Sequence, residues 1–224
     1  MEEEYYRGTP LMKRLYVYCE GQTEESFVKK LLYPHFIVKE IYIIPIICKT
    51  KEGPQGVHKG GIVDYYKVVK EVRRYCIQHP NEMVTSFIDY YGLNNIPQQQ
   101  VELNKYKMIE NLELCLKNDV DCNNFIPYIS LHEFESLLFS DPSQFSYLNS
   151  RAVAKFNKIL AEFDDNPEFI NNGKNTAPSK RILREIDNYG KIMDGNRIAE
   201  RISLIGLRNK CHHFSQWIAQ LENI

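Results

Sequence analysis

Residues 15–32 read LYVYCEGQTEESFVKKLL, an apolar run that ends in a glutamate and passes directly into a helical pattern. The run from Leu15 to Cys19 is too short for a helix, and its nearly continuous hydrophobicity is typical of a strand buried on both faces. Gly21 permits a sharp exit from the strand, and Thr23 can cap the helix that follows. The pattern therefore predicts a central strand and a helix, with Glu20 at the turn between them. Glu24 and Glu25 oppose the positive end of that helix.

Further apolar runs along the chain predict an α/β fold followed by helices. We expect a peripheral strand over residues 40–49, because Pro45 cannot donate to a sheet ladder. The other predicted elements are a helix over 61–78, a strand over 83–88, a helix around 108–116, a strand over 125–131 with a helix after it, and helices over 152–163, from Pro178, and over 204–221. These elements divide the chain into a tail (1–14), an α/β core (15–140) and a helical extension packed on the core (141–224).

Composition places the chain among ordinary soluble proteins. Of its 224 residues, 43% are apolar and 25% are charged. No run approaches the roughly 18 apolar residues of a membrane span, and no signal peptide is recognisable, so we expect a cytoplasmic protein that does not contact a membrane. The six cysteines contain no CxxC pair and are interpreted as reduced, buried thiols.

The net charge of −1 hides a modest asymmetry. Residues 151–224 hold 12 Lys and Arg against 9 Asp and Glu, a net +3, whereas residues 1–150 hold 16 against 20, a net −4. Solvated helix faces explain so small an imbalance better than a basic surface for nucleic acid does.

Acidic residues follow three of the predicted strands. They are Glu20, Asp89, and the pair Glu133 and Glu135. Any one of them, taken alone, would normally be a helix cap or a solvated turn. The carboxyl ends of parallel strands share one edge of a sheet, however, and hard oxygen ligands gathered there suit Mg²⁺ or Mn²⁺. The pattern predicts metal-assisted phosphoryl transfer, and a shared ion requires Asp89 to lie within about 12 Å of Glu20.

Five ordered motifs carry a resemblance to a known family. They are CEGQTEESF (19–27), FIDYYGL (87–93), PYISLHEFESLLF (127–139), APSKRI (177–182) and KCHHFSQW (210–217). Together they resemble the TOPRIM-like family catalogued as domain of unknown function 4276. Through that family the chain is more distantly similar to the TOPRIM nuclease domains of overcoming-lysogenization-defect proteins.

The resemblance implies a Rossmann-like TOPRIM fold with a mainly parallel central sheet. It implies a catalytic glutamate at Glu20, a metal-binding aspartate at Asp89, and Mg²⁺ or Mn²⁺ as the cofactor. It also implies a nucleic-acid substrate and an AAA or ABC-type ATPase partner in bacterial phage defence. One departure stands out: many TOPRIM proteins have an Asp-x-Asp pair here, whereas Tyr91 occupies the second acidic position, so Glu133 or Glu135 must complete the metal site.

Other polar residues are weaker candidates. Lys180 and Arg181 can hold a phosphate at the start of the Pro178 helix, although a solvated cationic face explains them equally well. Lys59, in a glycine-rich loop, can reach the same site. His132 is either a proton carrier or a histidine packed at a helix start. The run from Cys211 to His213 resembles half a zinc site, but Cys211 falls on the apolar stripe, which favours a core cysteine.

Two functions from different classes follow. The first is a Mg²⁺-dependent TOPRIM-type nuclease that cuts phosphodiester bonds in DNA or RNA; Glu20 acts as general base or metal ligand, and Asp89 and Glu133 bind metal. The second is a non-catalytic subunit that keeps the fold and docks on an ATPase. Tyr91 favours the second function and the retained acids favour the first. Self-association of the chain is left open.

Overall fold

A computed structural model of the chain describes residues 12–47, 52–53, 56–57, 63–98, 102–170, 173 and 175–224. The strands are β1 (Lys13–Cys19), β2 (Ile41–Ile47), β3 (Glu52–Gly53), β4 (Gly56–Val57), β5 (Val63–Asp64), β6 (Met83–Asp89), β7 (Leu93–Asn94), β8 (Phe125–Ile126) and β9 (Ile129–Ser130). The α-helices are α1 (Gln22–Phe27), α2 (Tyr33–Ile37), α3 (Tyr65–Gln78), α4 (Lys105–Val120), α5 (Ser146–Asn149), α6 (Ala152–Ala161), α7 (Pro178–Leu183), α8 (Asn196–Lys210) and α9 (His212–Glu222). Two π-helical turns (Val28–Leu32 and Lys191–Gly195) and three 3₁₀ turns (Phe134–Ser140, Pro142–Phe145 and Pro167–Phe169) complete the helical segments.

The central sheet is parallel throughout, in the order β2-β1-β6-β8, with β9 also pairing with β6. Strand β1 lies between β2 and β6, and β2 forms the edge that Pro45 predicted. The predicted mixed α/β architecture with a mainly parallel sheet and C-terminal helices is therefore confirmed. Strand β1 begins at Lys13, two residues before the predicted start, and the division into a tail, a core and an extension stays a prediction.

Two hydrophobic clusters cover the two faces of the sheet. Side chains of β1 alternate between them: Leu15, Val17 and Cys19 belong to the first, whereas Tyr18 belongs to the second. The first cluster also contains residues of α1, α8 and α9, and the second contains residues of α3 and α4. Burial on both faces explains why the sequence of β1 is apolar almost without a break.

The predicted strand over residues 125–131 is interrupted. It forms the short strands β8 and β9, and Pro127 and Tyr128 lie between them without strand pairing. The Ser86 hydroxyl spans this break, because its Oγ donates to the Tyr128 carbonyl at 3.0 Å and accepts from the Tyr128 N–H at 2.9 Å. The helix predicted to follow is a 3₁₀ helix, Phe134–Ser140, in which all seven residues are buried.

Two predicted helix boundaries are also wrong. The helix predicted over residues 61–78 begins at Tyr65, because Val63 and Asp64 pair with β7 and the Asp64 carboxylate caps the helix. The helix predicted over residues 204–221 is two helices, α8 and α9, with extended backbone at Cys211. The buried carboxylate of Glu168 stabilises the break by accepting the N–H groups of His213 and Phe214 at 3.0 and 2.9 Å.

Helix α9 is held against the sheet by the single tryptophan of the chain. The indole N–H of Trp217 donates to Thr85 Oγ1 at 2.8 Å, and the indole stacks on Tyr128 with ring centroids 4.2 Å apart. The described cysteines are free thiols, and Cys211 is fully buried beside Ser140. Within the described residues no helix has the length and apolar character needed to cross a membrane.

We expect an ion pair between α9 and α4 to make stability depend on pH. His213 Nε2 lies 3.0 Å from Glu113 Oε1. Burial lowers the pKa of His213, but the hydrogen bond and charge of Glu113, with Glu168 and Glu110, outweigh it and raise the pKa. A raised histidine pKa stabilises the fold below its unfolded value of about 6.5 and loses that contribution as pH rises through the folded pKa.

Glu113→Gln should therefore lower the free energy of unfolding more at pH 5.5 than at pH 9. Urea titrations followed by Trp217 fluorescence measure both values. Groups that titrate alike in the two proteins contribute equally to both free energies of unfolding, so their contributions cancel in this comparison. The same loss at both pH values would show that the pair contributes nothing that depends on the charge of His213.

Candidate functional site

The carboxyl ends of β1 and β6 place Glu20 and Asp89 side by side. The parallel register sets Cys19 opposite Phe87, and the Glu20 N–H donates to the Phe87 carbonyl at 3.2 Å. The Glu20 side chain then folds over the end of β6, where its Oε2 accepts the Asp89 N–H at 3.1 Å. This contact is far inside the limit of about 12 Å that a shared ion requires.

Gly92, in the turn after β6, leaves room for the Glu20 carboxylate. A Cβ atom at Gly92 would lie 2.8 Å from Glu20 Oε1 and 3.1 Å from Oε2. The Gly92 backbone is outside the left-handed region, so glycine is needed here for the close approach and not for its conformation.

Burial raises the pKa of Glu20 and of Asp89, so both carboxyl groups ionise at a higher pH than usual. Asp89 is 9% exposed, and its Oδ1 is buried without a hydrogen-bond partner among the described residues. Burial, followed by the charges of Glu20 and Glu24, raises the pKa of Asp89 well above its ordinary value. Burial likewise raises the pKa of Glu20 to about 7, against the lowering effect of the Asp89 N–H.

Glu24 joins this group, which its sequence interpretation as a helix-dipole residue did not predict. It lies in the first turn of α1, is 7% exposed, and accepts the Gly21 N–H at 3.0 Å through Oε2. Burial raises its pKa, and its charge acts on both Glu20 and Asp89. The signal in the sequence was the spacing of four residues between Glu20 and Glu24, which places both acids at one end of the same helix.

A lysine from the helical part of the chain enters the site. Lys191 Nζ lies 3.0 Å from Oε2 of Glu135, a carboxylate with no exposed surface. Burial raises the pKa of Glu135 to about 7 while Lys191 opposes the shift. Burial lowers the pKa of Lys191, but Glu135 and Glu133 outweigh it and the net shift is upward. Nothing in the sequence around Lys191 marks it as a site residue.

We call Glu20, Glu24, Asp89, Glu133 and Glu135 the carboxylate cluster. Their charges act on one another and on Lys191. One oxygen of Glu133 is already hydrogen-bonded outside the cluster: its Oε2 accepts the Ser179 N–H, at the start of α7, at 3.0 Å. The acids of the carboxylate cluster thus come from the ends of three strands and from helix α1, and Lys191 lies beside them.

Three of the remaining predicted residues, His132, Lys180 and Arg181, lie within the described part of the chain. Both ring nitrogens of His132 are buried without a partner among the described residues; burial and Lys105 lower its pKa to about 4, so the ring is neutral. Arg181 is 12% exposed, donates to the Thr176 carbonyl at 2.8 Å and packs over Phe163. Lys180 is exposed, and Lys59 lies outside the described residues. Their functional roles stay predictions.

The cluster suits a hard cation by chemistry but is not a closed cage. Within the described part of the chain, no three His, Cys, Asp or Glu side chains already surround one point as a preformed metal site. Asp89 Oδ1 and Glu135 Oε1 are nevertheless buried carboxylate oxygens without a hydrogen-bond partner among the described residues, and burial disfavours the charge of both groups. Mg²⁺ commonly takes only one or two protein carboxylates, with water and substrate phosphate completing its shell. The residues present fit that mode of binding.

Comparison with known proteins gives a family and a distant structural likeness. The family described as domain of unknown function (DUF4276) matches residues 19–222. Among curated proteins, none matches the sequence. The C-terminal region of the Burkholderia pseudomallei OLD protein is similar in structure, with a TM-score of 0.43 and 14% identity over 93% of this chain and 98% of that one.

The raised pKa of Glu20 predicts that its charge destabilises the fold when no metal is bound. The unfolded carboxyl ionises near pH 4.5 and the folded one near 7, so the folded protein loses stability as pH rises through this window. Glu20→Gln removes the charge and retains an oxygen that can accept the Asp89 N–H. We expect it to match the wild type near pH 4 and to be more stable near pH 8, by on the order of 1 kcal/mol or more.

Urea unfolding in the presence of chelator measures this difference. Glu25→Gln is the matched control, because Glu25 lies in α1, the helix that follows Glu20, but forms an exposed ion pair with Lys29 at 2.6 Å, and such pairs contribute little. A destabilised Glu20→Gln protein at pH 8 would mean that Glu20 is a structural cap.

Proposed function

We propose that this chain, which belongs to the family described as domain of unknown function 4276, is a metal-dependent nuclease that hydrolyses phosphodiester bonds in nucleic acid. The observation that carries the proposal is the hydrogen bond from the Asp89 N–H to Glu20, inside a buried carboxylate cluster at the carboxyl edge of a parallel sheet. Ligand sites in open α/β sheets lie at this edge. The five TOPRIM-like motifs support the same reaction class.

Glu20 and Asp89 would hold Mg²⁺ or Mn²⁺, with Glu24 or Glu135 supplying a further oxygen. A bound divalent ion polarises a phosphate oxygen and lowers the pKa of a coordinated water. The protein contributes carboxylate ligands and buries them. A cation stabilises buried carboxylate oxygens without hydrogen-bond partners far more than solvent does. Glu20, whose pKa is raised to about 7, can also accept a proton near neutral pH.

Lys191 is the residue we assign to the phosphate. Its side chain is 47% exposed although Nζ contacts the fully buried Glu135, so the ammonium lies between the carboxylate cluster and solvent. From there it can donate to a phosphate oxygen and balance the charge that develops in phosphoryl transfer. Glu135 acts as a positioning residue that fixes the ammonium.

The second candidate is a non-catalytic docking subunit of a complex that contains an AAA or ABC-type ATPase. Tyr91 favours it, because an aromatic side chain that is 53% exposed stands where many TOPRIM proteins have a second acid. The ion pair of Lys191 with Glu135 favours it as well, since the lysine supplies internally part of the positive charge that a metal would bring.

We expect cleavage of a plasmid or tRNA to require Mg²⁺ or Mn²⁺ and to stop with chelator. Glu20→Gln and Asp89→Asn should reduce the rate by 100-fold or more, on the order expected when a ligand to the reacting centre loses its charge, while the proteins remain folded. Glu25→Gln should cleave at the wild-type rate. The assay should also contain an AAA or ABC-type ATPase, the partner class proposed for this chain, with ATP, because such subunits are expected to act with that partner.

Metal binding separates the two candidate functions. Mn²⁺ should raise the thermal unfolding midpoint of the wild-type protein at pH 8 but not that of Glu20→Gln or Asp89→Asn. Equal cleavage, or equal absence of cleavage, by the wild type and Glu20→Gln in the complete mixture would overturn the nuclease proposal in favour of the docking subunit.

Gly92→Ala tests whether the position of the Glu20 carboxylate matters. The added methyl would lie 2.8 Å from Glu20 Oε1, and the carboxylate must rotate away because it is the flexible partner. We expect a rate loss of about 10-fold to 100-fold, the scale of a displacement near 1 Å at a reacting centre, with a melting temperature close to that of the wild type. Gly190→Ala is the matched control, since its methyl would lie 3.5 Å from Asp194 Oδ2, an ordinary contact. Full activity in Gly92→Ala would argue against a role for Glu20 in the reaction.

A further inference from the structure

Two arginines near the start of α8 lie over one aromatic ring. The guanidinium carbons of Arg197 and Arg201 are 5.4 and 5.2 Å from the centroid of Tyr147. Both arginines are exposed, whereas Tyr147 is half-buried. Contact with a common ring restricts the orientation of the two guanidinium groups. Surface arginines without such a contact are more flexible.

Neither arginine has a carboxylate partner among the described residues. The hydrogen bond that fixes Arg201 runs from its Nε to Gln144 Oε1, at 3.0 Å. Two other cations in this half of the chain do form ion pairs: Arg208 lies 2.9 Å from Glu222, and Lys155 contacts Glu185. A guanidinium that contacts an aromatic ring can still donate its N–H groups, and these match the oxygens of a phosphodiester.

Two nearby carboxylates accept hydrogen bonds from other groups. Asp194 Oδ2 accepts the Gly190 N–H at 2.8 Å, and Asp141 accepts from Ser143 and from the Gln144 side chain. Neither carboxylate forms an ion pair with Arg197 or Arg201.

The arginine pair is joined to the candidate active site by short contacts. The Tyr147 hydroxyl donates to the Asp194 carbonyl at 3.4 Å, and Asp194 lies in the same π-helical turn as Lys191. Asn196, the first residue of α8, donates to the Thr23 carbonyl of α1 at 3.3 Å. The helix that carries the arginines thus begins at the edge of the carboxylate cluster.

We propose that Arg197, Arg201 and Tyr147 form a binding site for the phosphodiester backbone of a nucleic-acid strand that leads to the carboxylate cluster. The assignment rests on the proposed function, because continuity with a phosphodiester site is what favours a nucleic acid over an acidic protein. The three residues form a second part of the substrate-binding surface, which contacts phosphates away from the bond that is cut.

Binding of a fluorescent 20-nucleotide single strand and of its duplex, measured by anisotropy on the whole chain with chelator, tests this site without cleavage. Arg197→Gln combined with Arg201→Gln should weaken binding of the single strand about tenfold. The slope of log affinity against log salt should fall by about 1.4, since each lost phosphate contact on a single strand contributes about 0.7. Arg197→Lys combined with Arg201→Lys should keep the slope, because the charge is retained.

The matched control is Lys70→Gln combined with Arg74→Gln on α3. It removes the same charge at the same spacing from an exposed surface on the other face of the sheet, and it should bind as the wild type does. All variants should melt within a few degrees of the wild type, since exposed arginines without ion pairs contribute little to stability.

The outcomes separate this inference from the proposed function. Arginine-dependent binding in a protein that does not cleave, with the same affinity in Glu20→Gln, supports the backbone site and opposes the nuclease. Unchanged affinity and salt slope in the Arg197 and Arg201 variant overturn the backbone site even when the wild type cleaves. An equal loss in the α3 control, or no binding by the wild type, also overturns it; binding to an acidic partner protein would then be the better explanation.

Discussion

The structure depends on the parallel alignment of β1 and β6. Their register brings the backbone of Asp89 against the carboxylate of Glu20 and makes two acids from distant parts of the chain share one small volume. A shift of one residue in either strand would exchange the two faces of that strand and would carry the acidic residue to the wrong level. The alternation of Leu15, Val17 and Cys19 with Tyr18 between two hydrophobic clusters opposes such a shift, so the core that stabilises the sheet also places the carboxylates.

Burying these carboxyl groups close together destabilises their charged forms. Burial, and repulsion between neighbouring acids, raise the pKa of Glu20, Asp89 and Glu135, while Lys191, a cation of the described part of the chain, opposes the shift in all three. A fold selected for stability alone would not gather buried acids in this way, because replacing them with apolar residues would remove the cost. Perturbed carboxyl groups of this kind are concentrated at functional sites, where a ligand supplies the missing charge. The imbalance therefore distinguishes this edge of the sheet from the ordinary acidic turns elsewhere in the chain.

Much of the fold followed from local patterns, and the failures have particular physical causes. Glu20 and Asp89 could be predicted because each directly follows a buried strand, a relation visible in a short window. Lys191 could not, since it reaches the site through tertiary packing and does not follow a predicted strand. The break at Cys211 was missed because the cap that stabilises it, Glu168, is far away in sequence and the apolar spacing runs through the break unchanged. His132, which stands beside Glu133 in sequence, has Lys105 of α4 and not the cluster as its charged neighbour.

The order in which the site's parts occur along the chain has a consequence for biosynthesis. The carboxylate cluster lies within residues 20–135, whereas Lys191 and Trp217, which braces β6 through Thr85, come from the helical part that leaves the ribosome later. The amino-terminal part of a chain leaves the ribosome first. A growing chain that has reached only residue 190 therefore lacks both the counter-charge of its acids and the brace on β6. The pocket therefore gains its counter-charge and its brace only after residues 191–217 have been made and have docked.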